Sequence, residues 1–125
     1  MDDLTLPEEL TPINLKAYFY NAFNMCGCWE FGPVHYNILF LLKWLKTNSE
    51  ENPKKSYETL YDSVGIFYLL VGIFDRLNLI EHGISIRCAW LTNNGKRLLE
   101  ALLKYSPEEI DSAEGKAYDE CEYAK

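Results

Sequence analysis

Cys26-Gly27-Cys28 is the densest group of nucleophilic or metal-binding atoms in this chain. With Cys88, Cys121, His35 and His82 it makes up the whole inventory of thiols and imidazoles. Such a C-x-C pair, completed by distant partners, could ligate a soft metal ion or cycle between dithiol and disulfide. Its spacing departs from the C-x2-C of zinc knuckles. The competing reading is four thiols kept reduced and half-buried as small apolar groups, and no metal or cofactor is expected. Nucleophilic and hydrolytic chemistry fares worse. No G-x-S-x-G, H-E-x-x-H or phosphate-cradling glycine loop is present. Asp62 or Glu58 near Tyr57 is a pair that any helix surface produces, and His82-Gly83 reads as a turn. No enzymatic activity is expected.

A different chemistry belongs to Lys54, Lys55, Ser56, Tyr57 and, further along, Arg87. These side chains could contact a phosphate backbone, which positions a protein on nucleic acid without reading its sequence. The alternative is an ordinary solvated loop. Charge bears on the choice. The net charge is −7, but residues 1–10 carry −4, residues 106–125 carry −5 and residues 11–105 carry +2. The central region is thus slightly basic between acidic ends, which favour solubility and repel phosphate over about 10 Å.

The elements that would hold these groups come from periodicity. At 125 residues and 48% apolar content, the chain can bury a core as one domain. Its longest apolar run, Val64 to Phe74, is 11 residues, short of the ~20 that span a membrane. Asp2 and Asp3 stand where a secretory leader would be basic. Cytoplasmic residence is expected, or the host cytoplasm for a phage-encoded chain. Thr11-Pro12 caps a helix over about 12–25 carrying Leu15, Tyr18, Phe19 and Phe23 at helical spacing. A loop over 25–32 holds Trp29 and Phe31, both expected beneath the fold. A helix over about 33–46 follows, with Ile38, Leu41, Leu42 and Leu45 as its stripe. Phe40 and Trp44 lie off that stripe, so two neighbours are expected. Asn48–Lys55 reads as an exposed loop, and Ser56 caps a short helix to about Ser63.

Residues 65–78 form the next helix. Gly72 within it costs about 1 kcal/mol relative to Ala, for which close packing against another element is the expected reason. Leu79 to Trp90 reads as a hairpin, with Ile84, Ile86, Cys88 and Trp90 alternating against Ser85, Arg87 and Ala89. Thr92 caps a helix whose Leu98, Leu99, Leu102 and Leu103 face inward while Lys96, Arg97, Glu100 and Lys104 face water. Ser106-Pro107-Glu108-Glu109 is a capping box. Ile110, Ala113, Ala117, Tyr118 and Cys121 continue a stripe, so an amphipathic helix over about 107–122 should dock on the domain or on a partner.

This order resembles the winged helix-turn-helix domains of MarR- and PadR-type regulators over about residues 33–105. The marks are Leu79-Ile80-Glu81 leaving one helix and Leu91-Thr92-x-x-Gly95-x-x-Leu98-Leu99 opening the next. Where the family commonly has Gly before the Leu-Ile pair, this chain has Asn78, which tolerates left-handed backbone. The expected fold class is mostly α with a small β-hairpin: an acidic segment 1–11, a winged-helix domain with its preceding helix over 12–105, and an acidic helix over 106–125. The resemblance implies that helices 12–25 and 107–122 occupy the place of dimerisation helices, hence a homodimer.

The resemblance also makes 65–78 the recognition helix. Yet Val64, Gly65, Ile66, Phe67, Tyr68, Leu69 and Leu70 lead it, and direct readout needs Arg, Lys, Asn or Gln. Asp75 and Arg76 lie at the wrong end. Two functions follow. In the first, Ile66, Phe67, Tyr68 and Leu69 form a protein interface, with a partner or with a second copy; the first helix or the 26–32 loop could instead cover them. By analogy of class alone, small acidic proteins of this build occur among phage-encoded inhibitors of nucleic-acid machines. In the second, the chain is a DNA-binding regulator using Lys54, Lys55, Ser56, Tyr57 and Arg87.

Overall fold

Thr11-Pro12 starts a helix for reasons visible in the two residue types. The computed structural model describes residues 5–23, 25, 30–50, 64–83 and 89–113. In it, α1 runs Pro12–Ala22, and the Thr11 side chain accepts a hydrogen bond from the Asn14 amide at 3.2 Å. Pro12 occupies a first-turn position where a missing N–H costs nothing. The order continues with α2 (Phe31–Glu50), α3 (Val64–Arg76), β1 (Ile80–Glu81), β2 (Trp90–Leu91), α4 (Asn93–Lys104) and α5 (Pro107–Asp111). The described fold is therefore mostly helical with one two-stranded antiparallel hairpin, pairing Ile80 with Leu91 and Glu81 with Trp90.

Several boundaries differ from the periodicity reading. α2 begins at Phe31 and continues through Glu50, so Asn48–Glu50 is helix rather than loop. Once a helix is nucleated each further residue adds a hydrogen bond, and no helix breaker stands before Pro53. α5 stops at Asp111, and the expected continuation past residue 113 lies outside the described residues. So do the short helix over 56–63, the hairpin stretch 84–88 and Trp29.

The chain divides into two compact units, Met1–Leu39 with Glu100–Lys125, and Phe40–Leu99. In the first, Leu15, Tyr18 and Phe19 of α1 are buried, as are Phe31 and Ile38 of α2, Leu102 of α4 and Ile110 of α5. Phe31 stacks on Phe19 with ring centroids 5.1 Å apart, and Phe23 meets Phe19 edge-on at 5.4 Å. Phe31 is thus tucked away as expected. α5 packs against α1. It is opened by a complete capping box: the Glu109 amide donates to Ser106 Oγ at 3.1 Å, and the Ser106 amide donates to Glu109 Oε1 at 2.8 Å.

In the second unit, Leu41, Leu42 and Leu45 of α2 are buried with Val71 and Phe74 of α3, Leu79, Ile80, Leu91, and Leu98 and Leu99 of α4. Each such side chain contributes about 1.5–3 kcal/mol on leaving water. Off the α2 stripe, Trp44 is buried whereas Phe40 is exposed, so of the two only Trp44 is covered. Ala89 and Leu91 are buried while Trp90 is exposed opposite Glu81, so the inward phase of that strand is set by Ala89 and Leu91. One inward assignment on α4 is corrected. Leu103 is 58% exposed, whereas Leu98, Leu99 and Leu102 are buried. The buried stripe of α4 is narrower than its run of leucines.

Candidate interaction surface

The junction from α3 into the hairpin and on to α4 decides which side of α3 faces water. α3 ends in a Schellman turn. Asn78 takes φ 62°, the Leu79 amide donates to the Phe74 carbonyl at 2.9 Å, and the Asn78 amide donates to the Asp75 carbonyl at 3.1 Å. Asn78 thereby takes the left-handed position that glycine most often fills at a helix C-terminus. Thr92 ties this turn to the next helix. Its amide donates to the Leu79 carbonyl at 3.0 Å and its hydroxyl donates to the Asn78 carbonyl at 2.8 Å. The hydroxyl oxygen also accepts the Gly95 amide at 3.1 Å. Gly95 is required because a Cβ there would collide with the Leu79 carbonyl oxygen. The Leu-Thr-x-x-Gly sequence is therefore a backbone-to-backbone clasp.

With that end clasped, α3 buries Val71 and Phe74 and presents Tyr68, 40% exposed, and Leu69, 70% exposed. Asp75 and Arg76 are exposed as well. Ile66 and Phe67 belong to α3, but their side chains lie outside the described residues. Lys54, Lys55, Ser56, Tyr57 and Arg87 lie outside them too, as do Glu58, Asp62 and the four cysteines. Of the residues singled out for function, the structure places Tyr68 and Leu69 side by side on one helix. It leaves the phosphate-contact set undescribed. Among the described residues, nothing lies within 4 Å of where a Cβ on Gly72 would stand, so none of them supplies the close packing expected there.

Two polar features lie near the hairpin. His82 Nε2 stands 3.5 Å from Asp75 Oδ2, and its Nδ1 is 2.9 Å from the Gly83 carbonyl oxygen. The imidazole therefore lies beside the last turn of α3. A cleft of about 500 Å³ at the hairpin base is lined by Glu81, Trp90, Asn93, Asn94 and Lys96 among others.

The first unit holds polar side chains that sequence periodicity did not single out. Lys16, on α1, is only 7% exposed. Its Nζ donates to the Asp111 carbonyl at 2.7 Å and to the Ala113 carbonyl at 3.2 Å. A cation is favoured at those carbonyls because a helix C-terminus carries partial negative charge. Its helical phase was a signal: Lys16 sits between Leu15 and the buried pair Tyr18 and Phe19. His35 is 3% exposed, beside the rings of Phe19 and Phe31 at 6.5 and 6.1 Å. Burial pushes its imidazole below the usual histidine range, against the opposing pull of the Tyr105 backbone and the Glu108 carboxylate. His35 Nε2 and the Tyr18 hydroxyl are buried with no hydrogen-bond partner, and burial pushes the Tyr18 phenol up to about 12.

Among the described residues no group of three or more His, Cys, Asp or Glu could hold a metal ion. No described helix is long and apolar enough to cross a membrane. No protein-family model, curated protein or solved structure matches the chain.

Proposed function

We propose that this chain is a non-enzymatic winged-helix interaction module, an adaptor or inhibitor that works through protein–protein contacts made by α3. The observation that carries the reading is the exposure of Leu69 and Tyr68 on a helix whose opposite side buries Val71 and Phe74. A winged helix that reads bases would present hydrogen-bonding side chains at this place. Aromatic and aliphatic groups there suit the core of a protein interface instead. The order of helix, Schellman turn, hairpin and capped helix supports the winged-helix reading. The cytoplasm, a cell's own or a phage host's, is the proposed compartment.

Two measurements on the full chain test the reading together. The first is fluorescence anisotropy of a labelled DNA duplex at low and at physiological salt. The second is capture of partner proteins from lysate by the wild type and by Leu69→Glu. The expected result is no salt-sensitive DNA binding and a captured set that the substitution abolishes. Salt-sensitive binding that survives Leu69→Glu would overturn the reading and favour a DNA-binding regulator, since phosphate neutralisation makes affinity fall steeply with salt.

A further inference from the structure

Tyr68, Leu69, Gly72 and Arg76 are spaced three and four residues apart, so they share one face of α3. Three observations on this face point the same way. Leu69 is the most exposed large apolar side chain described. Gly72, which weakens the helix by about 1 kcal/mol relative to Ala, has no other described residue within 4 Å of where its Cβ would stand. Among the described residues Arg76 is exposed and makes no hydrogen bond or ion pair, while the carboxylate of its neighbour Asp75 stands 3.5 Å from His82 Nε2.

We propose that this face pairs with the same face of a second copy of the chain, antiparallel and centred on Gly72. The proposal rests on the reading of α3 as a protein-contact surface and names what occupies it. In a two-fold interface residue i meets j and j meets i. With Gly72 opposite Gly72, Tyr68 faces Arg76 of the partner subunit, and the reverse contact repeats at the other end. The guanidinium then lies over an aromatic face, a favourable charge–quadrupole arrangement. Within one helix the same two residues are eight positions apart, about 12 Å along the axis, so the contact exists only between copies. Gly72 at the crossing lets the helix axes approach to about 8 Å, and Leu69 leaves water on each side. A cation at one end of the face and an aromatic ring at the other make it complementary to itself. A surface built for an unrelated acidic or basic partner would carry one sign throughout.

The test is the mass of the full chain by light scattering and sedimentation over a dilution series, with circular dichroism to verify folding of each variant. The wild type is expected to dimerise. Leu69→Glu should raise the dimer dissociation constant at least about tenfold, as truncation of a central anchor does. Tyr68→Lys should do the same by setting an amine opposite Arg76 of the partner subunit. Combining Tyr68→Lys with Arg76→Glu should bring dimerisation back to within about threefold of wild type. A wild-type chain that stays monomeric at ~100 μM, weaker than an interface of this kind should be, overturns the pairing while leaving α3 available to another protein. A dimer indifferent to all three variants, or a double variant no tighter than Tyr68→Lys alone, overturns it as well.

Discussion

The clasp between α3 and α4 and the polar cluster around α1 treat their hydrogen-bonding groups oppositely. In the clasp, the Leu79 carbonyl accepts the Thr92 amide, the Asn78 carbonyl accepts the Thr92 hydroxyl, and the Thr92 oxygen accepts the Gly95 amide. In the α1 region, Lys16 closes the end of α5, but the Tyr18 hydroxyl and His35 Nε2 are left without partners. Unpaired buried groups cost about 1–3 kcal/mol each. The clasp is therefore a rigid joint that resists change in sterics, whereas the α1 region carries a polar strain that resists change in protonation.

The largest expected effect is steric. Gly95→Ala places a methyl group against the Leu79 carbonyl oxygen, with the Leu91 Cδ2 only 3.1 Å away on another side. A backbone carbonyl held by the Thr92 amide cannot swing aside without breaking that bond. The substitution should destabilise the fold by about 3 kcal/mol, read as a lower urea midpoint with unchanged slope. A loss under 1 kcal/mol would show that the clasp yields, and would erase the contrast between the two regions.

Next in size is Lys16→Met. It keeps the apolar stem and removes the ammonium, leaving the Asp111 and Ala113 carbonyls without their donor. The expected loss is about 2 kcal/mol. Lys16→Arg should recover much of it, because a guanidinium can reach the same two oxygens. Hydrogen exchange of the amides in α5 should quicken in Lys16→Met and leave those of β1 and β2 unchanged. An equal change in both regions would mean that Lys16 stabilises the chain globally rather than fastening α5.

The two regions differ in how far their residue types alone encode them. The clasp spans the hairpin, with Thr92 bonded to Asn78 14 positions back, but two of its residues declare themselves locally: Asn78 tolerates the left-handed backbone it adopts, and Thr92 caps the helix that follows it. The left-handed residue and the cap are therefore legible in the sequence, as are Thr11-Pro12 and the capping box at Ser106, whereas the need for glycine at 95 comes from the distant Leu79 carbonyl. The α1 cluster is not local. Lys16 meets Asp111 and Ala113 across nearly the whole chain, and no periodicity encodes a contact at that separation. Leu103 shows the same limit, since a run of leucines says that a face is buried but not how wide the covering surface is. The candidate interface was half accessible to such reasoning. Apolar residues on a would-be recognition helix raised it, but the exposure of Leu69 and the surroundings of Gly72 depend on what α3 packs against.

The smallest effects concern protonation, and they separate the regions most sharply. His35 binds its proton less tightly in the fold than in the unfolded chain, because burial disfavours the cation. Above the unfolded value of about 6.5 both states are neutral and the fold keeps its full stability. As pH falls below that value the unfolded chain gains the proton first, so stability declines until the folded imidazole also titrates. This acid slope should vanish in His35→Phe, measured as denaturation midpoint against pH from 7.5 to about 5, where carboxylates begin to contribute. Tyr18 works in the other direction. Its phenol is held up to about 12 in the fold, against about 10 when unfolded. The folded chain therefore keeps the proton longer, and stability present below pH 10 is lost as pH rises toward 12. Tyr18→Phe removes that alkaline slope and also deletes the unpartnered hydroxyl. At neutral pH it should therefore leave stability unchanged or raise it by up to about 1 kcal/mol. A loss of more than 1 kcal/mol would mean that the hydroxyl is hydrogen-bonded in solution. The α1 region would then be as fully satisfied as the clasp.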